Sequence, residues 1–528
     1  MDEGQRGVFW RVFGLDVRSL ALTRIALAMV VLADLWIRAA DLRAFHGDAG
    51  LLPRAAWVRA YPTAFSLHAA SGHLGFQVLL FAVQAVAAAM LLVGWHTRIA
   101  NVVTWVLLVS LHARNPVILQ AGDALLACLL FWSIFVPMGA RMSIDAAFGK
   151  SIARDGNSPP IQTPLRVASI GTLALALQMP CVYFFSALLK GGPEWHSRFD
   201  AVRRALSDDF IASPLGAWLA RVVPVRALEA MTVGVLVVEL AIPVCLLMPV
   251  ATARVRSVVL PILLALQVGF FCCLRIGLFP LISTIGVLVL VPSETWRWFG
   301  ARLGDPRKWR SVERAGAMFA RPRALLAPTL SRWVERVGTA APTFHLGRAA
   351  SVVCAAAIAF MVLDNVSSVV QRPLLPREVH QLGRAIRLRQ SWKMFVRSTK
   401  ARRWYVLEGT LENGKVVDLL SGVDAEPSAD RPAHISDAFK NYRWRKFYGN
   451  VGDKRERIQR RAFANYLCRS GSADRPEGER LVHVTAYRFS EPADAPPGAK
   501  SPRRSTMFTK KCRLPDPERD RRVAFLRR

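Results

Sequence analysis

Val182, Tyr183, Phe184, Phe185, Ser186, Ala187, Leu188, Leu189, Lys190, Gly191, Gly192, Pro193, Glu194 and Trp195 form the stretch on which the reading of this chain turns. An apolar run from about Pro164 delivers one amine at its end and then breaks at two glycines and a proline, the composition of a membrane-spanning helix and its stop. An ammonium at the edge of hydrocarbon either snorkels to the headgroups or is held inside, where desolvation favours the neutral amine, a base. Composition leaves both readings open: a helix-end anchor beside an interfacial tryptophan, or a functional lysine.

The rest of the chain sets that stretch in a membrane. Hydrophobic residues make up 52% of the 528, against 20% charged. The charge is segregated: windows of about 20 nearly uncharged residues alternate with basic loops, and the last third is polar. A net charge of +32 would suggest nucleic acid in a soluble protein. Here the basic residues flank apolar spans, where they meet anionic lipid, and no zinc spacing or aromatic RNA-binding motif supports nucleic acid. Of eight cysteines, six lie in apolar stretches and none forms a CxxC, which argues against a metal or redox site; Cys468 and Cys512 can pair if their region faces an oxidising compartment.

In chain order, residues 1–18 read as an interfacial segment and 19–292 as a bundle of about eight spans. A basic loop follows over 293–348, then a last span over 349–370. Residues 371–490 read as a small extracytoplasmic α+β domain and 491–528 as a basic, Pro-rich disordered tail. The fold class is therefore mainly α, a polytopic bundle of about nine transmembrane helices. The first span, about Ser19 to Ala40, carries Arg24 and Asp34, which must face the bundle interior or a wet cavity. Expected spans follow at about His73–Gly94, Ile99–His112, Val117–Met138, Pro164–Leu189, Ala227–Val250, Val255–Leu274, Ile276–Val291 and Ala349–Val370. Asn115 and Asp123 stand at the start of the fourth, to cap it or to line a pocket. Glu239 lies inside the sixth. Trp195, Leu206, Leu215 and Trp218 are expected at the membrane interface. In the polar part, Trp404–Thr410 and Lys415–Leu420 read as a hairpin around Glu412-Asn413-Gly414, Arg480–Phe489 as a strand, and Glu456–Arg469 as a helix burying Ile458, Ala462, Phe463, Tyr466 and Leu467. Lysine and arginine in the loops place the N-terminus in the cytoplasm and the C-terminal domain outside, in a cell inner membrane.

Tyr183, Phe184, Lys190 and Trp195 fall in the order and spacing of the vitamin K-dependent gamma-glutamyl carboxylases and their relatives, the HTTM (horizontally transferred transmembrane) domain proteins. The resemblance extends through Asp48-x-Gly50-Leu51-Leu52-Pro53, Trp95-His96-Thr97-Arg98, Ser143-Ile144-Asp145 and Glu239. It runs from about Leu15 to about Leu420 and includes Ser391, Trp392, Met394 and Phe395, which resemble the Trp-x-Met motif that opens the family's β domain. It implies Lys190 as catalytic base, a reduced quinone as cofactor, and a glutamyl side chain of a protein or peptide as substrate. It also implies a histidine just after Asn115, where this chain has Pro116, a residue with no imidazole. His112, one turn earlier, can stand in for it or be an ordinary interfacial histidine. The rival class is a non-catalytic membrane protein that uses the same fold to bind quinone or lipid, or to scaffold an extracytoplasmic partner. No inverted repeat supports a transporter.

Overall fold

The structure, a computed structural model, describes residues 7–147, 165–303, 346–396, 401–421, 425–453, 455–493 and 502–513. After a short helix α1 (Val8–Phe13), helices α2 (Val17–Ala39), α3 (Leu74–Val93), α4 (Thr97–Arg114) and α5 (Ala121–Ser133) build the first half of a bundle. Helices α6 (Ile170–Leu189), α7 (Val225–Leu246), α8 (Thr252–Cys273), α9 (Phe279–Leu288), α10 (Ser293–Leu303) and α11 (Arg348–Val370) complete it. Among the described residues, six helices are long and apolar enough to cross a membrane: α2, α3, α6, α7, α8 and α11. The protein is a membrane protein. Helix α6 is its axis and packs on α5, α7, α9 and α11.

Local chemistry sets the helix ends. The Asp16 side chain accepts the Arg18 amide to start α2, Ser169 and Thr172 cap α6 reciprocally, and Gln120 with Asp123 does the same for α5. Gly94 closes α3 at φ 70°, and a Cβ there would lie 1.7 Å from the Arg24 guanidinium. Only glycine meets both demands.

Three expected spans come out shorter. Residues 117–138 hold a single 13-residue helix, because Pro116 opens a short 3-10 turn and α5 starts only at its capping box. The span expected to start at Pro164 begins at Ile170, since Arg166–Val167 instead forms a two-stranded ladder with Leu15–Asp16. The expected eighth span is α9, 10 residues long, followed by α10 at 91° to it. Helix α4 carries Asn101, Thr104, Ser110 and His112 inward, which lowers its mean hydropathy while burying it in the bundle. Trp195 and Leu206, expected at the interface, are buried, whereas Leu215 and Trp218 are exposed.

The C-terminal part is an antiparallel sheet of order β4-β3-β5-β6, made of β3 (Ala401–Leu411), β4 (Val416–Asp418), β5 (Leu481–Pro492) and β6 (Arg503–Lys511); β1 (Leu15–Asp16) and β2 (Arg166–Val167) are the small ladder already described. Helices α12 (Tyr442–Val451) and α13 (Arg457–Ser470) cover it. The hairpin and the β5 strand form where they were expected, although Trp404–Leu407 are buried in succession and not alternately. On α13, Ala462, Phe463 and Leu467 are buried as expected, but Ile458 is 36% exposed.

Strand β6 corrects the expectation of a disordered tail from Glu491. Its Phe508 ring meets Phe463 edge-on at 5.7 Å, and its exposed arginines and lysines suit a sheet edge. Cys468 and Cys512 are bonded, tying the end of α13 to the end of β6. A further difference concerns Ser391–Phe395. Trp392 sits in the core of the bundle, its indole donating to Gln390 Oε1 at 3.1 Å, and Gln390 Nε2 donates to Gln178 Oε1 of α6. Residues 388–395 thus belong to the bundle, not to the sheet.

The disulfide closes 44 residues of sequence separation. Cys512→Ser is therefore expected to lower stability by roughly 2–4 kcal/mol. Thermal unfolding with and without reductant checks this: reductant should lower the wild-type midpoint toward that of the variant and leave the variant unmoved.

Candidate active site

Lys190 is the C-cap residue of α6, where the carbonyl end of the helix dipole favours a cation. Its Nζ donates to Ser186 Oγ at 2.8 Å and to Glu239 Oε2 of α7 at 2.5 Å. The Trp195 ring closes the other side, its centroid 5.1 Å from the nitrogen. Lys190 is 2% exposed and Glu239 5%. The amine is thus inside the protein, in a neutral pair with one carboxylate. The Trp195 indole donates to the Phe395 carbonyl at 2.8 Å, which fixes the aromatic wall to the segment after α11.

A second buried cluster joins α2, α4, α5 and α12. Arg38 donates through Nε to Asp34 Oδ2 at 2.7 Å and through Nη2 to Asp123 Oδ1 at 2.6 Å. Arg443, from the C-terminal domain, bonds Asp34 and lies 3.1 Å from Asp123 Oδ1. His112 Nε2 stands 3.6 Å from that same oxygen. Two carboxylates alternate with two guanidinium groups, so the cluster is neutral. Burial opposes the charge on Arg443, but Asp123 and Asp34 outweigh it and raise the pKa of the guanidinium. Donor atoms of Asp34, His112 and Asp123 lie within 4.8 Å of one another, a spacing that can hold a metal ion. Arg38 and Arg443 already bring positive charge onto both carboxylates.

Beside this cluster a cleft of about 530 Å³ opens between bundle and C-terminal domain. Leu119, Ile276, Phe279, Met394 and Phe395 give it apolar walls; Arg387, Arg389, Lys393 and Lys446 make it positive, and no carboxylate among the described residues lines it. Burial pulls the Lys446 amine below the usual lysine range. Pro116 and His112 both face the cleft, so an imidazole is present although Pro116 is not one. His112 Nε2 is buried and has no hydrogen-bond partner among the described residues. Lys190 and Glu239 do not line the cleft; Trp195 and Phe395 stand between.

The remaining expected residues lie elsewhere. Arg24 donates to the Leu91 carbonyl at 3.2 Å and the Met142 carbonyl at 2.5 Å, at the far end of α2 from Asp34. Asn115 Nδ2 donates to the Phe45 carbonyl at 3.0 Å, pinning the loop that follows α2. Asp123 does two jobs, accepting the Gln120 amide at 2.7 Å as a cap while joining the ionic cluster. Sequence reasoning missed Arg38 and Arg443. Arg38 was findable, one helical turn beyond Asp34 on the same face; Arg443 looks like any other arginine of a basic helix.

Removing one member of the ionic cluster leaves a buried charge unmatched. Arg443→Ala should cost about 3–5 kcal/mol, and adding Asp34→Ala should restore part of that loss. Denaturation midpoints of the two singles and the double provide the check; additive losses would mean the groups do not interact.

The HTTM domain family profile matches residues 14–296. No curated protein and no solved structure matches the chain. The matched region is more than half of the 528 residues and contains Lys190, Glu239, His112, Asp34 and Asp123. With the bundle and its buried groups arranged as described, the chain belongs to the HTTM domain family.

Proposed function

We propose that this protein is a carboxylase-like membrane enzyme that acts on glutamyl side chains with a reduced quinone, and that Lys190 is its base. The observation that carries the reading is the buried Lys190–Glu239 pair, walled by Trp195 at the end of α6, the most enclosed of the six long apolar helices. An amine in that setting can pass its proton to the neighbouring carboxylate and so become neutral without leaving a charge behind. Glu239 holds the nitrogen in place, and Trp195 keeps water from it. Arg387, Lys393 and Lys446 in the cleft suit a substrate carboxylate.

The volume and apolar walls of the cleft fit a fused aromatic ring. A reduced quinone, when bound, supplies with oxygen the strong base that a glutamyl γ-proton requires. Leu119, Phe279, Met394 and Phe395 would hold its ring. His112 would offer the imidazole that Pro116 lacks.

The proposed setting is a cell inner membrane, with about nine crossings if α4, α5 and the bent α9 pass through with the six longer helices. An N-terminus in the cytoplasm then puts the C-terminal domain outside, and the Cys468–Cys512 bond suits an oxidising compartment there. A second reading is favoured by one observation, that Lys190 does not line the cleft. On that reading the same cavity binds quinone or lipid, or the fold holds an extracytoplasmic partner, without chemistry.

The test is incorporation of labelled bicarbonate into a glutamate-containing peptide by the lipid-reconstituted protein with chemically reduced naphthoquinone and oxygen. Wild type should incorporate label, and Lys190→Ala should lose roughly 10²–10⁴-fold while still binding the quinone. No incorporation by wild type that does bind quinone would overturn the enzyme reading and leave the second; full activity in Lys190→Ala would remove the base from Lys190.

A further inference from the structure

At the opposite end of α2 from the ionic cluster, a hollow of about 350 Å³ lies where α2 and α8 begin and α7 and α9 end. Four arginines line it: Arg11, Arg166, Arg254 and Arg256. Arg256 is buried and spends its bonds on neutral carbonyls, Nε on Leu246 at 3.1 Å and Nη2 on Val12 at 2.6 Å. Arg166 Nη2 likewise reaches the carbonyls of Trp10, Arg11 and Gly14 at 3.0–3.3 Å. These bonds orient both guanidinium groups, and those of Arg256, all to neutral carbonyls, leave its charge in place. Arg11 and Arg254 are exposed at the mouth and form no ion pair among the described residues.

Two acids also line the hollow, but each is paired with an arginine outside it. Asp16 takes Arg18 at 2.8 Å and the Ser293 hydroxyl at 2.6 Å; Glu294 takes Arg297 at 3.3 Å. A pocket lined by Arg11, Arg254 and Arg256, in which the carboxylates among the described residues are engaged by Arg18 and Arg297, is built for an anion, and the planar forks of arginine suit phosphate oxygens.

The surroundings give the level of this pocket. Phe9 is 45% exposed and Trp298 54%, α10 turns across the end of the bundle, and α7 and α8 leave most of their apolar surface uncovered below. Exposed aromatic residues and arginines at the end of apolar helices mark the headgroup layer.

We propose that this hollow binds a phosphate-bearing anion, the chemistry of an anionic phospholipid headgroup, with the acyl chains lying along α7 and α8. The site is independent of the cleft, so its failure would leave the enzymatic reading intact.

Native mass spectrometry of the full chain, released from bilayers of phosphatidylglycerol and phosphatidylcholine, tests it. Wild type should retain phosphatidylglycerol selectively, and Arg11→Ala with Arg254→Ala should weaken retention about fivefold per arginine with the melting temperature unchanged, since both side chains are exposed. A parallel titration with inorganic phosphate separates the sources. Displacement of the lipid only by other anionic lipids assigns the site to headgroups, whereas displacement by millimolar phosphate, abolished by the same double variant, assigns it to a soluble phosphate. Equal retention of both lipids together with no phosphate binding, or a double variant that behaves as wild type, overturns the proposal.

Discussion

Inside this bundle a charge persists where its opposite lies beside it, and the Asp34–Arg38–Asp123–Arg443 cluster shows how far the fold is shaped by that constraint. Asp34 and Arg38 share one helix, Asp123 comes from α5, and the balancing fourth charge comes from the C-terminal domain. The domain is therefore more than an appendage. The same rule joins α6 to α7 through Lys190 and Glu239. Arg24 and Arg256 are met differently, at helix ends, where unsatisfied carbonyls supply the negative pole.

The cleft draws its character from these neutral back walls. On one side His112 leans toward Asp123, and on the other Trp195 bonds Phe395 and screens Lys190. Neither cluster carries net charge, so the field in the cleft comes from Arg387, Arg389, Lys393 and Lys446. The cationic groups that line the cleft are thereby distinct from the buried Lys190–Glu239 pair.

Much of this was legible in the chain because apolar length and polar interruption are local signals. The spans of α2, α3, α7, α8 and α11, the burial of Lys190 as one of two open readings, and the hairpin of β3 and β4 all follow from runs, breaks and alternation. What stayed hidden was long-range. Glu239 could be named but not placed 49 residues away on the same amine. Arg443 gives no sign that it will cross from a soluble helix into the bundle, and β6 is ordered by a disulfide and by Phe508, which composition averages away. The short α5 shows the converse: Pro116 and the Gln120–Asp123 cap were visible, but their power to trim a span depends on the chain around them.

The segment from Arg387 to Phe395 lies beyond residue 296, where the family match ends, yet it supplies Trp392 to the bundle core, one wall of the cleft and the carbonyl that holds Trp195. During synthesis the earlier helices enter the bilayer first and wait, with their indole acceptor and two cleft walls still untranslated. The cleft is complete only when the last helix and the domain after it have been delivered, so its assembly waits on the C-terminal third of the chain.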